Sequence, residues 1–403
     1  MTLPDYLAVR KASVWKAGQL AGSLDRQGDG TISFSYLPDY AGDPVATSLP
    51  LGAEPVRTAG GALPPFFAGL LPEGRRLSAL RAAVKTSLDD ELSLLLAVGE
   101  DAIGDVQVLP SADAAGPGTA SAGPTLELAP HEVSFAELFE RAVGSGLEDR
   151  AALPGVQDKI SGRMITLPVA DRDAAWILKL NPPEFPSLVQ NEAFFLKAAR
   201  DSGLDVAEAR LIHDRDEQPG LLVRRFDRVA LPDGSFQRVA QEDACQVLGR
   251  YPADKYRMSS EDVMRALARP TSAPVVAARA LLQQLAFAYL SCNGDAHGKN
   301  FSILKVRGEW RVSPAYDLPS SYPYGDLTMA LPIGRKRRED IGRADFLELG
   351  AACGVPGKAC ERVLDRLLKA APNWIDRLEE LPFSLQIQRK LARACRYRAD
   401  RLA

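Results

Sequence analysis

The sequence predicts an α+β fold, and three observations predict it. Short runs that alternate apolar and polar residues open the chain, strand-like pieces around one helix follow, and apolar residues at helical spacing dominate beyond Gln241. A single core stops growing near about 250–300 residues, so 403 residues imply two or three domains.

Residues 1–110 read as the first unit. SVWKAGQLAGSL and TISFSYL alternate as half-buried strands do, and QGDG between them suits a hairpin turn. Helical spacing follows over Pro64 to Leu71, Arg75 to Val84 and Asp89 to Val98, which makes this unit α+β. Residues 111–125, SADAAGPGTASAGPT, lack large apolar side chains and read as a linker or loop. Between 126 and 240 lie the strand-like GRMITLPV, AAWILKL and LLVRRF, with one helix, NEAFFLKAARDSGL, that Gly203 should stop. From 241 to 403 the pattern is mostly helical: EDACQVLG, SEDVMRALARP and APVVAARALLQQLAFAYLSC. The stretch from Pro382 to Ala403 mixes apolar residues at helical spacing with Arg and Lys, which suits a cap on a helical lobe rather than a membrane contact. No internal repeat is visible.

With 46% hydrophobic and 25% charged residues and a net charge of −3, the chain has the composition of an ordinary soluble protein, and its bulk surface is not expected to bind nucleic acid non-specifically. Five cysteines without C-x-x-C spacing fit free thiols in a reducing cytosol and argue against structural zinc. No signal peptide is apparent, and no segment approaches the roughly 20 apolar residues of a membrane span, so a cytoplasmic location is expected.

The most informative stretch is SCNGDAHGKNFSILKVRGEWRVSPAYDLPS, between Ser291 and Ser320. It places Asp295, Asn300 and Asp317 on loops either side of a predicted β-hairpin. A carboxylate, an amide five residues later and an aspartate after the next hairpin is how protein kinases arrange a hydroxyl-orienting base and two magnesium ligands. Alone, Asp295 would read as a turn or capping residue. Asn300 and Asp317 together supply a neutral and an anionic oxygen for a hard cation. His297 is a lone histidine, suited to orienting the loop or touching a phosphate, and Lys299 is either a counter-charge for phosphoryl oxygens or a solvated surface lysine.

Upstream, AALPGVQDKISGRMI offers a glycine turn whose backbone amides could cradle phosphates, although it matches neither common phosphate-loop pattern. Lys179 stands inside the apolar strand AAWILKL and needs an anion, either nucleotide phosphates or Glu192 on the next helix; the other reading is a strand-edge lysine facing water. Arg224, Arg225 and Phe226 end a strand where a hinge backbone would pair with an adenine ring, and Asp227 is placed to hydrogen-bond a ribose.

Together these segments resemble the HipA family of serine/threonine kinases, the toxins of HipA–HipB type II toxin–antitoxin modules. The resemblance spans nearly the whole chain. LPGVQDK resembles the family's phosphate loop, WILKL its ATP-lysine strand, NEAFFLKAARDSGL the helix after it and LLVRRFDR its hinge. RVAQEDACQVLG is similar to the opening of the helical lobe, NGDAHGKNFSI to the catalytic loop and SPAYDL to the magnesium-binding stretch. SLPL, FFAGLLPEG and GEDAIGDVQVLP are similar to the small N-terminal subdomain.

The resemblance implies a bilobal kinase-like fold: a strand-rich N-terminal subdomain (1–110), a linker (111–125), a mixed nucleotide-holding lobe (126–240) and a helical lobe with the catalytic and metal-binding loops (241–403). It implies Asp295 as catalytic aspartate and Asn300 and Asp317 as Mg²⁺ ligands. ATP contacts would come from Pro154, Gly155, Val156, Gln157, Asp158, Lys159, Lys179, Arg224, Arg225, Phe226, His297, Gly298, Lys299, Asn300, Tyr316 and Asp317. Its expected partners are a HipB-like helix-turn-helix antitoxin, operator DNA held mainly through that antitoxin, and a protein substrate, which in better-known relatives is a glutamyl-tRNA synthetase.

One departure stands out. Family members commonly carry a serine three residues ahead of the glycine, whose autophosphorylation ejects the phosphate loop; here Ala152 holds that position and Pro154 adjoins Gly155. That leaves no such regulation, another hydroxyl such as Ser161, or a serine replaced in this chain. Two other functions compete with a toxin kinase: a catalytically weak kinase-like co-repressor, opposed by the retained Asp295, Asn300 and Asp317, and a small-molecule kinase, opposed by the N-terminal subdomain.

Overall fold

In the computed structural model, residues 6–111, 132–138, 165–170, 174–338 and 340–403 are described. The first sheet is built from β1 (Lys11–Lys16), β2 (Gln19–Arg26), β3 (Ile32–Tyr36), β4 (Val56–Thr58) and, after three helices, β5 (Val106–Pro110). Its strands are antiparallel in the order β4-β3-β2-β1-β5. The QGDG turn joins β2 to β3, with Gly30 at a φ of 82° that an L side chain rarely adopts. Val14, Leu24 and Phe34 on the inner face of the sheet pack with Phe67 and Leu95 into one core. The helices are α1 (Pro65–Ala68), α2 (Gly74–Val84) and α3 (Glu91–Val98).

The second sheet contains β6 (Ile165–Ala170), β7 (Ala175–Leu180), β8 (Ala209–His213) and β9 (Pro219–Arg224), in the antiparallel order β6-β7-β9-β8. Between β7 and β8 runs α4 (Leu188–Asp201), which packs on the sheet through residues such as Phe195 and Leu196. Gly203 ends it as expected, with a φ of 83°. Two short strands, β10 (Arg228–Ala230) and β11 (Phe236–Arg238), form a hairpin beyond it.

One helical expectation is corrected at this point. The helical pattern of EDACQVLG predicts helix from its start, yet Gln241–Asp243 is a strand, β12, that pairs with Leu304, Ile303 and Ser302 of β13 (Ser302–Val306). The helix α5 (Ala244–Val247) starts only after Asp243, which takes extended backbone angles as its N-cap and accepts the Gln246 N–H at 2.9 Å. A capping aspartate must sit outside the helix it caps, so the strand extends up to it.

The helical region continues with α6 (Ser260–Ala268) and α7 (Pro274–Leu290), and β13 pairs with β14 (Glu309–Val312) as the predicted hairpin. Most of α7 is buried, including Leu281, Leu285, Phe287 and Tyr289, as a helix apolar nearly all round must be. Around it lie α8 (Arg343–Ala352), α9 (Gly357–Ile375) and α10 (Leu385–Leu402). α10 does cap the bundle. Its buried Arg398 donates to the backbone oxygens of Tyr289 and Leu327, both at 2.8 Å, adding a second donor to a carbonyl near the end of α7 that also accepts the Cys292 N–H at 3.1 Å. Among the described residues no helix is long and apolar enough to cross a membrane. The expected linker lies outside the described residues apart from Ser111.

Candidate active site

The chain leaves α7 through a tight loop whose shape depends on glycine. A Cβ on Gly294 would come within 2.7 Å of Ser321 Oγ, Asp326 Oδ2 and Thr328 O, so only glycine lets the loop lie this close. Asn293 Oδ1 accepts the Asp295 N–H at 3.0 Å, and Tyr256 donates its hydroxyl to Asp295 Oδ1 at 2.7 Å. Asp295 is 3% exposed, so its carboxylate accepts the Tyr256 hydroxyl in a largely buried setting.

Asn300 and Asp317 are adjacent. Asn300 Nδ2 donates to Asp317 Oδ2 at 2.6 Å, and Asn300 Oδ1 accepts the His297 N–H at 3.0 Å. Asp317 has a φ of 56°, a left-handed conformation uncommon outside glycine and frequent at functional loops. Lys179 of β7 reaches this point: its Nζ lies 3.0 Å from Asp317 Oδ1 and 2.7 and 2.9 Å from the two oxygens of Glu192 on α4. The lysine therefore has both the predicted glutamate and a second carboxylate.

The electrostatics follow from burial and this pairing. Burial alone would lower the Lys179 ammonium, but Asp317 and Glu192 outweigh it and hold the lysine charged. Burial would raise the Asp317 carboxyl, and Lys179 with the Asn300 hydrogen bond brings it below its usual range. Glu192, wholly buried and beside a second carboxylate, is pushed up to about 7 despite Lys179. Burial, with Lys255 nearby, pushes the His297 imidazole down to about 4, so it is neutral at pH 7. Neither of its ring nitrogens has a hydrogen-bond partner among the described residues.

Tyr316 and Phe226 form an aromatic wall, their ring centroids 5.6 Å apart. The Tyr316 hydroxyl donates to Lys299 O at 2.6 Å and lies 2.5 Å from Ser302 Oγ. Gly298 donates its N–H to Lys255 O at 3.0 Å.

Two expectations are corrected by this geometry. Lys299 does not present its ammonium as a counter-charge beside Asp295; it lies 3.0 Å from Gly69 O, 3.2 Å from Glu73 Oε1 and 3.6 Å from Asp243 Oδ2, because those anions face it from the first unit and from β12. Asp227 is not available for a ribose. Its Oδ2 accepts from Arg225, Arg228 and the Gly104 N–H at 2.9, 2.7 and 2.9 Å, and the two guanidiniums hold it well below the usual carboxylate range against the opposing effect of burial. In the expected hinge, Arg224 pairs with Glu208 at 3.0 Å and Arg225 with Asp101 at 2.9 Å, and their N–H groups donate to Glu208 O and Ala175 O. Pro154, Gly155, Val156, Gln157, Asp158 and Lys159, with Ala152 and Ser161, lie outside the described residues.

Tyr256 and Glu73 were not singled out from sequence. Glu73 meets Lys255 at a separation of 182 residues, a distance at which no local pattern exists to find the pair.

Residues 151–375 match the family model described as the HipA-like C-terminal domain, and residues 12–109 match that of the HipA N-terminal domain. The chain belongs to the HipA family. Among HipA relatives, the Sinorhizobium fredii protein named "Putative kinase Y4mE" is 34% identical over 354 residues, covering 82% of each chain. The serine/threonine-protein kinase toxin HipA of Shewanella oneidensis is 26% identical over 379 residues, 88% of this chain and 85% of that one. A solved Shewanella oneidensis complex of HipA, HipB and operator DNA contains a chain that matches at a TM-score of 0.76 and 22% identity, covering 97% of both. The α+β architecture is thus the HipA kinase-like fold, and at the coarse level the protein is a HipA-type kinase.

Proposed function

We propose that this HipA-family protein is an ATP- and Mg²⁺-dependent serine/threonine protein kinase, the toxin of a type II toxin–antitoxin module. The observation that carries the reading is the meeting of Lys179, Glu192, Asn300 and Asp317, from β7, α4 and two loops, around the same buried histidine loop as Asp295.

The donor set fits Mg²⁺ on a nucleotide. Among the described residues there is no cluster of three or more His, Cys, Asp or Glu that could hold a metal, and such a cage is not needed, because Mg²⁺ at nucleotide sites takes one or two protein oxygens and completes its shell with water and phosphate. Asn300 and Asp317 would supply those oxygens. When bound, the ion would offset charge on the phosphoryl oxygens. Lys179, kept charged by its neighbours, would contact phosphates, with Glu192 fixing its position. The Phe226 and Tyr316 rings would flank the base beside the 224–226 hinge backbone.

Asp295 would accept the proton of the acceptor hydroxyl as that oxygen bonds to the γ-phosphorus and the bond to the β–γ bridging oxygen breaks, leaving ADP. Tyr256 would hold the carboxylate in line. The target would be a cellular protein such as an aminoacyl-tRNA synthetase, and the partner a HipB-like helix-turn-helix antitoxin that carries the pair to operator DNA. The antitoxin partner draws support from the solved complex of HipA, HipB and operator DNA. Five free thiols suit the cytoplasm of such a system.

The experiment is transfer of labelled γ-phosphate to a cytosolic lysate, with and without Mg²⁺. A labelled protein band that disappears in Asp295→Asn and Asp317→Asn supports the reading. Equal labelling by the wild type and both variants refutes the assigned roles, and a labelled metabolite with no labelled protein refutes the protein-kinase reading.

A further inference from the structure

We infer that Glu73, which belongs to the first unit and not to either kinase lobe, is a positioning residue for the loop that carries Asp295. This rests on the kinase reading above for its catalytic consequence, though not for its structural content. Glu73 directly precedes α2 and forms ion pairs with two lysines: Lys255, in a short contact, and Lys299, at 3.2 Å. Both lysines are anchored to the catalytic loop. Lys299 lies within it, between Asp295 and Asn300. Lys255 accepts the Gly298 N–H on its backbone oxygen at 3.0 Å, and the next residue, Tyr256, donates to Asp295 at 2.7 Å. One carboxylate therefore ties both sides of the loop, directly through Lys299 and indirectly through the Lys255–Tyr256 strap.

An ordinary inter-unit salt bridge would be a weaker explanation. Exposed pairs contribute little, on the order of 0–1 kcal/mol, and need no relation to a loop. Here the side chains are mostly covered, with Lys255 15%, Lys299 14% and Glu73 29% exposed. Removing Glu73 would leave Lys299 with Asp243 and the Gly69 carbonyl as its partners among the described residues, and would release the strap from the first unit. The Lys305–Asp43 pair provides a contrast: it also joins the first unit to the helical lobe, at 2.7 Å, but lies on β13 and an exposed loop.

The test uses the full chain and two readouts. Hydrogen exchange in peptides spanning 293–300 should accelerate about tenfold or more in Glu73→Ala, at the Gly298 amide above all, while Asp43→Asn leaves it unchanged. In the transfer assay, Glu73→Ala should lower kcat by about ten- to a hundredfold with KM for ATP within about twofold, the pattern of a misplaced base rather than a lost nucleotide contact. Unchanged loop exchange and kcat in a folded Glu73→Ala protein overturn the inference, as does an equal effect of Asp43→Asn. If Glu73→Ala fails to fold, Lys255→Met releases the same strap from its other end and is judged by the same outcomes. A wild type that transfers no phosphate refutes the kinase reading, and the exchange measurement then decides the positioning role alone.

Discussion

Lys179 Nζ lies 3.0 Å from Asp317 Oδ1, joining the central strand of the second sheet to a loop 138 residues further along the chain. This contact and the Glu192 pair put one cation between two buried carboxylates. Lys179→Met should therefore leave uncompensated charge inside the protein and destabilise it by about 3–5 kcal/mol in urea unfolding. Adding Glu192→Gln to it should recover part of that loss, because the pair is coupled. Phosphate transfer should remain abolished in both.

Tyr256→Phe removes a single hydroxyl, the one bound to Asp295. The ring and its edge-on contact with His297, 5.0 Å between centroids, are retained. We expect kcat to fall about tenfold with KM for ATP nearly unchanged, consistent with a net hydrogen-bond contribution of about 1.5 kcal/mol. Steady-state kinetics at saturating acceptor would check it.

His297 links stability to pH. Its pKa drops from 6.5 to about 4 on folding, so the unfolded chain binds more protons between those values. The contribution to stability is complete above about pH 6.5 and is lost as pH falls through about 4, by up to about 3 kcal/mol. Glu192 has the opposite sign, being raised from 4.5 to about 7, and stabilises as pH falls through that window. Comparing urea midpoints of the wild type and His297→Asn at pH 7.5 and 5 isolates the histidine: the wild type should lose more stability than the variant.

Asp227 separates a structural role from a nucleotide contact. In Asp227→Asn the buried Arg225 and Arg228 lose an anion they share, and stability should drop by about 3–5 kcal/mol. KM for ATP, measured well below the unfolding temperature, should stay within about twofold. A large rise in KM with little loss of stability would restore the ribose reading.

What could be read in advance depended on how local the signal was. The Lys179–Glu192 pair was legible because a charge inside an apolar strand requires a partner and the following helix offered one. The hairpin between Asn300 and Asp317, and the stop at Gly203, were legible from turn chemistry. Lys299 was misread because Gly69, Glu73 and Asp243, which decide where its ammonium points, come from distant parts of the chain. Asp227 was misread for the same reason, since Gly104 and Asp101 complete its network from the first unit. The strand at Gln241–Asp243 needed knowledge of its partner, β13, which arrives some sixty residues later.

Arg398 closes the carbonyl end of the helix that leads into the Asp295 loop. During synthesis that helix and its loop leave the ribosome well before α10 does. A nascent or prematurely terminated chain thus carries Asp295 before the Arg398 guanidinium can reach the Tyr289 and Leu327 carbonyls.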